Sequence, residues 1–147
     1  MVGYLLRCRA NQKPNKASVA AAAKVFRTLC YENKDRLMAG VIVAGFDAAE
    51  GGSVYEIPLG GTCVRQSFAV GGSGSSYIYG LVDASYKPRM TRDECVAFVR
   101  RVIAHAMARD GSSGGVIRTV VIDKDGVERG FVGGDELPYS FQLPLPA

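Results

Sequence analysis

Two short stretches hold the side chains of this sequence best suited to chemistry: Gly71-Gly72-Ser73-Gly74-Ser75-Ser76 and Asp110-Gly111-Ser112-Ser113-Gly114-Gly115. Each sets hydroxyls among glycines, and the second adds a carboxylate. Glycine lets the backbone turn sharply and lets another group come close. Serine supplies hydroxyls and is a good helix N-cap. Hydroxyls and free backbone N–H groups at the start of a helix can bind an anion or simply cap that helix; the residues alone leave both open. Two phosphate-binding forms are excluded. There is no GxxxxGK[ST], and no lysine follows the glycines. GGSGSS does not complete the GxGxxG spacing. His105, the one histidine, has no partner motif beside it and reads as solvated or hydrogen-bonded.

The elements that must carry these stretches follow from periodicity. Val2, Leu5 and Leu6 look like the end of a helix, and 7–14 is a polar connection. Val19, Ala22, Ala23, Phe26, Leu29 and Cys30 keep a spacing of three and four, which predicts a helix over about 15–35. The apolar run 38–45 predicts a buried strand. Residues 53–57 alternate, and so do most of 61–70, with short turns between, so an antiparallel meander is expected. A helix follows the first Gly/Ser stretch. Thr91 and Glu94 form a T-x-x-E capping box that opens a longer helix. Its expected buried stripe is Cys95, Phe98, Val99, Val102, Ile103 and Ala106. A strand over 116–122, a D-G turn at Asp125-Gly126 and a return strand over 127–132 form a hairpin. The stretch 133–147 holds Pro138, Pro144 and Pro146 and is expected to be an extended tail.

Bulk properties narrow the function classes. A chain of 147 residues with 48% hydrophobic and 22% charged content suits one globular domain with a real core. Its net charge of +4 is modest, and its basic residues are scattered without interleaved aromatics, which argues against nucleic-acid binding. The four cysteines make no CxxC and no metal constellation, which suggests reduced thiols and an intracellular compartment. No secretory h-region is visible, and no apolar run reaches the length of a membrane-spanning helix.

Taken in order, Met38-Ala39-Gly40, Glu50-Gly51-Gly52, the run from Arg65 to Gly80, Thr91 to Cys95, and the run from Arg109 to Arg118 resemble the beta subunits of the 20S proteasome core. In detail they resemble the first, caspase-like beta type (beta-type-1). The likeness extends from about Val2 to the tail. It implies an α+β fold, the αββα Ntn-hydrolase sandwich of two facing antiparallel sheets with helices outside, of which this chain would be the C-terminal portion. It also implies threonine-type endopeptidase chemistry, in which an N-terminal threonine hydroxyl attacks and its own amine is the base. By motif match Ser73, Asp110 and Ser113 would be the supporting catalytic residues. They would orient that amine and hydroxyl.

The same resemblance places the start of this chain inside the family's first helix. The nucleophilic threonine, the helping lysine and acid, and the oxyanion glycine would then lie outside these 147 residues, in a domain that is N-terminally incomplete. Thr28, Thr62, Thr91 and Thr119 are internal. Gly61-Thr62 has the residues of the family's processing junction, but it follows a hairpin turn. Residues 1–147 alone are therefore expected to be inactive and marginally stable. The implied partners are alpha and other beta subunits in stacked heptameric rings, with unfolded polypeptides as substrates in ubiquitin-dependent degradation in cytoplasm and nucleus. No cofactor, metal, nucleic acid or membrane is implied. The competing readings are an inactive shortened paralogue serving as a structural ring subunit and, without the resemblance, a small-ligand-binding α/β domain.

Overall fold

The computed structural model describes residues 18–137. The helix end read at Val2–Leu6, the polar connection over 7–14 and most of the tail lie outside the described residues. The described residues gather into two compact units. One comprises residues 18–69 with 122–127, the other 70–121 with 128–137.

The first unit is a helix, α1 (Val19–Glu32), and a meander of β1 (Val41–Asp47), β2 (Gly51–Ile57) and β3 (Val64–Gln66) in the order β1-β2-β3, antiparallel throughout. Register pairs Val41 with Ile57 and Asp47 with Gly51, and Tyr55 pairs onward with Arg65. Ser18 caps α1, its hydroxyl accepting from the Ala21 N–H at 3.1 Å. Val19, Ala22, Ala23 and Cys30 are its buried face.

Two expectations change here. The run read as a fully buried strand is covered on one face only: β1 alternates, and Ile42 and Phe46 are exposed. An apolar run on both faces signals a strand covered on both, and no described residue covers the second face of β1. The strand read over 61–70 shrinks to Val64–Gln66, because a bend at Ser67 ends the ladder.

Asp47 ties the meander to α1. Its Oδ2 accepts from the Val19 N–H at 3.0 Å, and its Oδ1 from Ala49 and Glu50 at 3.0 and 2.9 Å. These backbone donors, Glu50 first and then Val19, hold its carboxyl below the usual value. A carboxyl lowered on folding stabilises the fold above its unfolded pKa, and the contribution disappears as pH falls through the folded one. An Asp47→Asn chain is thus expected to melt below wild type at about pH 7, with the gap closing in acid. Thermal melts across pH check this; a gap that widens in acid contradicts it.

The second unit carries α2 (Ser75–Ser85), α3 (Arg92–Arg109) and the stems of the hairpin strands β4 (Ile117–Asp123) and β5 (Gly126–Val132). A 3-10 turn over Gly134–Glu136 opens the segment expected to be an extended tail. The capping box of α3 is formed as read: Glu94 N–H donates to Thr91 Oγ1, and Glu94 Oε2 accepts from Thr91 N–H. The buried stripe is rotated from the expected one. Val102, Ala104 and Ala106 are buried, whereas Cys95, Val99 and Ile103 are exposed. Ala104 packs with Ile117 and Val132 of the hairpin, flanked by Met107 and Leu137. Alanine lets the helix axis come close to the sheet, so the small residues take the buried side.

Among the described residues no helix is long and apolar enough to cross a membrane. Cys30, Cys63 and Cys95 carry free thiols. His105 is hydrogen-bonded, its Nδ1 lying 2.8 Å from the Arg101 carbonyl oxygen.

Candidate functional site

Asp110 ends α3. Its backbone N–H still reaches the Ala106 carbonyl at 2.8 Å, but its own φ and ψ of −104° and 114° are extended. The chain then turns tightly: Ser113 N–H donates to the Asp110 carbonyl at 3.0 Å, and Ser112 N–H to Asp110 Oδ1 at 3.1 Å. That side-chain-to-backbone bond two residues on is what an Asp-Gly-Ser sequence favours. The turn swings Ser113 back so that its hydroxyl donates to Asp110 Oδ2 at 2.6 Å.

The first Gly/Ser stretch delivers the third group. Ser73 Oγ donates to the same Oδ2, also at 2.6 Å, across 37 positions of sequence. Helix α2 starts at Ser75 with Gly74 as N-cap and no side-chain cap bond. The expected serine cap is therefore absent, and the hydroxyl of Ser73 goes to the carboxylate instead. Tyr79, one turn into α2, donates its hydroxyl to the Val70 carbonyl at 3.1 Å and holds the entry to the loop.

Gly74 is where close approach matters. A Cβ there would lie 2.9 Å from Ser113 Oγ, 3.1 Å from Ala106 Cβ and 3.3 Å from Asp110 Oδ2. A Gly74→Ala chain is expected to lose about 1–3 kcal/mol of stability. Any activity that depends on the Ser113 hydroxyl should fall by at least about tenfold, since displacements near 1 Å can cost about 10². Wild-type melting and turnover in that variant would contradict the assignment of space to this site.

The electrostatics are one-sided. Asp110 is 8% exposed, yet its carboxyl is held below the usual range by the Ser113 hydroxyl first, then Ser73, then the Ser112 N–H; burial opposes them. Bonds of 2.6 Å between hydroxyls and one oxygen are typical of charge-assisted pairs. Both hydroxyl protons are committed to Oδ2. What Ser73 and Ser113 keep is acceptor capacity, and Ser73 is exposed while Ser113 is half-buried. The site thus offers two oxygen lone pairs, backed by a carboxylate, to an incoming N–H donor.

All three residues singled out in the sequence, Ser73, Asp110 and Ser113, are therefore in direct contact. The sequence did not reveal Gly74 as a space requirement, nor Tyr79 as a clamp; the Asp-Gly-Ser turn was the available signal for the Ser112 N–H. Gly61, at the N-terminal side of Thr62, is buried against the backbone of Tyr31. Among the described residues no group of three or more His, Cys, Asp or Glu could hold a metal.

The family model of the proteasome subunit matches residues 4–122, which include all three site residues. The chain belongs to the proteasome beta-subunit family, and its helices and antiparallel sheets are those of the α+β Ntn-hydrolase fold. It is 56% identical to proteasome subunit beta type-6 of Dictyostelium discoideum, over 93% of this chain and 64% of that protein. It is 48% identical to the probable proteasome subunit beta type-1 of Schizosaccharomyces pombe, over 92% and 60%. Against proteasome subunit beta type-9 of Rattus norvegicus it is 49% identical, over 94% and 63%. The chain thus spans less than two thirds of the length of these curated relatives. Their names carry three type numbers, so the family is fixed and the beta type is not.

Proposed function

We propose that this polypeptide is a ring subunit of the 20S proteasome core and that its site serves threonine-type peptide hydrolysis. The observation that carries the proposal is the shared acceptor: Ser73 and Ser113 both donate to Asp110 Oδ2 at 2.6 Å. Their outward lone pairs suit the N–H groups of an N-terminal amine. Held that way, the amine turns its own lone pair toward the threonine hydroxyl and takes its proton as the hydroxyl attacks the peptide carbonyl. The ammonium that forms is stabilised by the Asp110 charge relayed through the two hydroxyls. Ser73, Asp110 and Ser113 are positioning residues in this scheme, and the threonine belongs to a part of the polypeptide outside these 147 residues.

The substrates would be unfolded polypeptides and the partners alpha and other beta subunits. The caspase-like, post-acidic type and a cytoplasmic and nuclear location complete the reading. The type rests on the runs Arg65–Gly80 and Arg109–Arg118.

The test is covalent labelling of the full-length polypeptide in its assembled particle by a peptide epoxyketone, read by intact mass. A single adduct on an N-terminal threonine, with acidic-residue fluorogenic hydrolysis blocked in parallel, is expected. An unlabelled subunit whose N-terminus is not threonine would sink the proposal and favour a structural subunit.

A further inference from the structure

Away from the hydroxyl–carboxylate site, the connection between α2 and α3 forms an open groove of about 610 Å³. That is within the range of roughly 300–1,000 Å³ seen for ligand pockets. Its floor is apolar: Met90 and Phe98 are half-buried, and Phe98 lies against the Tyr86 ring at 6.4 Å between centroids. Its rim is basic. Lys87, Arg89 and Arg101 line it and are exposed, against one carboxylate, Glu94. That carboxylate is already engaged, its Oε2 accepting from Thr91 N–H at 2.7 Å and Thr91 Oγ1 at 2.9 Å. Arg89 is held at φ +61°, the one non-glycine residue with positive φ among the described residues. A side chain other than glycine is strained in that region, and such positions concentrate at ligand clamps.

We propose that this groove binds an extended segment of a neighbouring polypeptide that presents a carboxylate beside an apolar side chain. Apolar floor and basic rim call for both features at once. The arginine forks match a carboxylate in two-pronged fashion, which a lysine ammonium does not. A polyanion such as RNA or DNA fits less well, because Glu94 sits in the wall and the groove offers one aromatic ring, Phe98, rather than a row of rings for successive bases. The groove shares no residue with the Ser73–Asp110–Ser113 site, so it stands or falls independently of the peptidase reading.

The experiment is fluorescence anisotropy on the full-length polypeptide with the labelled probe Gly-Asp-Leu-Glu-Phe-Gly. The Asn/Gln counterpart of that probe, a Lys/Lys counterpart and a ten-residue oligothymidylate are measured in parallel. Saturable binding of the acidic probe is expected, weakening with salt, and at least about tenfold tighter than its amide counterpart. Arg89→Glu with Arg101→Glu should lose at least about tenfold for the acidic probe and gain for the lysine probe. A merely structural role for these arginines would not produce that gain. Arg89→Gln with Arg101→Gln is the milder variant, expected to weaken the acidic probe alone. Absence of saturable binding, equal affinity for acidic and amide probes, indifference to either double variant, or tighter binding of the oligonucleotide would overturn the proposal.

Discussion

Asp110→Asn in the full-length, assembled polypeptide is expected to lower kcat by about 10²-fold or more while leaving KM within about twofold, the size of effect typical when a general base loses its support. The geometry dictates this. Both serine hydroxyls donate to the same Oδ2. If the Asn amide nitrogen takes that place, both bonds reverse together, and Ser73 and Ser113 become donors toward the amine they should accept from. If the amide flips, its nitrogen faces the Ser112 N–H that now donates to Oδ1 at 3.1 Å, and donor meets donor. Either way the negative charge that favours the ammonium is gone. KM is spared because none of these groups needs to touch the peptide's side chains.

The pH profile distinguishes that loss from simple misfolding. Asp110 is held below the usual carboxyl range by its three donors, so it stays ionised throughout a neutral assay and adds no inflection of its own. In the proposed scheme the acid limb of kcat/KM belongs to the amine, whose ordinary pKa is about 7.7–8.0. Removing a neighbouring negative charge disfavours the ammonium, so the limb should move to lower pH in Asp110→Asn. A variant with wild-type kcat and a raised KM, or with an unmoved acid limb, would remove Asp110 from the proposed role.

What was legible in the sequence was local. Thr91 and Glu94 are three positions apart and meet in one helical turn, so the start of α3 could be read directly. The hairpin was legible in the same way, although its two turn residues are Lys124 and Asp125 and Gly126 already opens β5, and alternation over residues 53–57 marked a strand whose neighbours were close in sequence. What was not legible depended on partners far away. Which side of α3 is buried is decided by Ile117 and Val132 settling against Ala104, and hydrophobicity alone favours Val99 and Ile103 instead. Ser73 reads locally as a cap because serines cap helices; it becomes a donor to Asp110 because that carboxylate, 37 positions on, is the stronger acceptor. The three site residues could be named from ordered motifs, but their shared oxygen could not.

The largest expected effect on stability is at Gly61, where two requirements coincide. Its φ is +82°, and its N–H closes the turn on the Pro58 carbonyl at 3.1 Å. A Cβ there would lie 2.7 Å from the Tyr31 backbone nitrogen and 2.8 Å from Tyr31 Cα. Those atoms belong to the last turn of α1 and cannot swing aside like a side-chain tip. Gly61→Ala therefore meets the left-handed penalty of about 1–2 kcal/mol and an overpacking cost of about 1–3 kcal/mol. Against a typical total of about 5–15 kcal/mol, a loss of some 2–5 kcal/mol should lower Tm by roughly 6–15 °C in a chain of this length. Gly60 is the control. Its φ is +93°, and an added Cβ would meet nothing within 4 Å, so Gly60→Ala should show only the backbone penalty, about 1–2 kcal/mol. Melting curves of the two variants beside wild type separate conformation from space. Equal losses at 60 and 61 would mean that the approach of Tyr31 costs nothing, and that the turn does not clamp the end of α1.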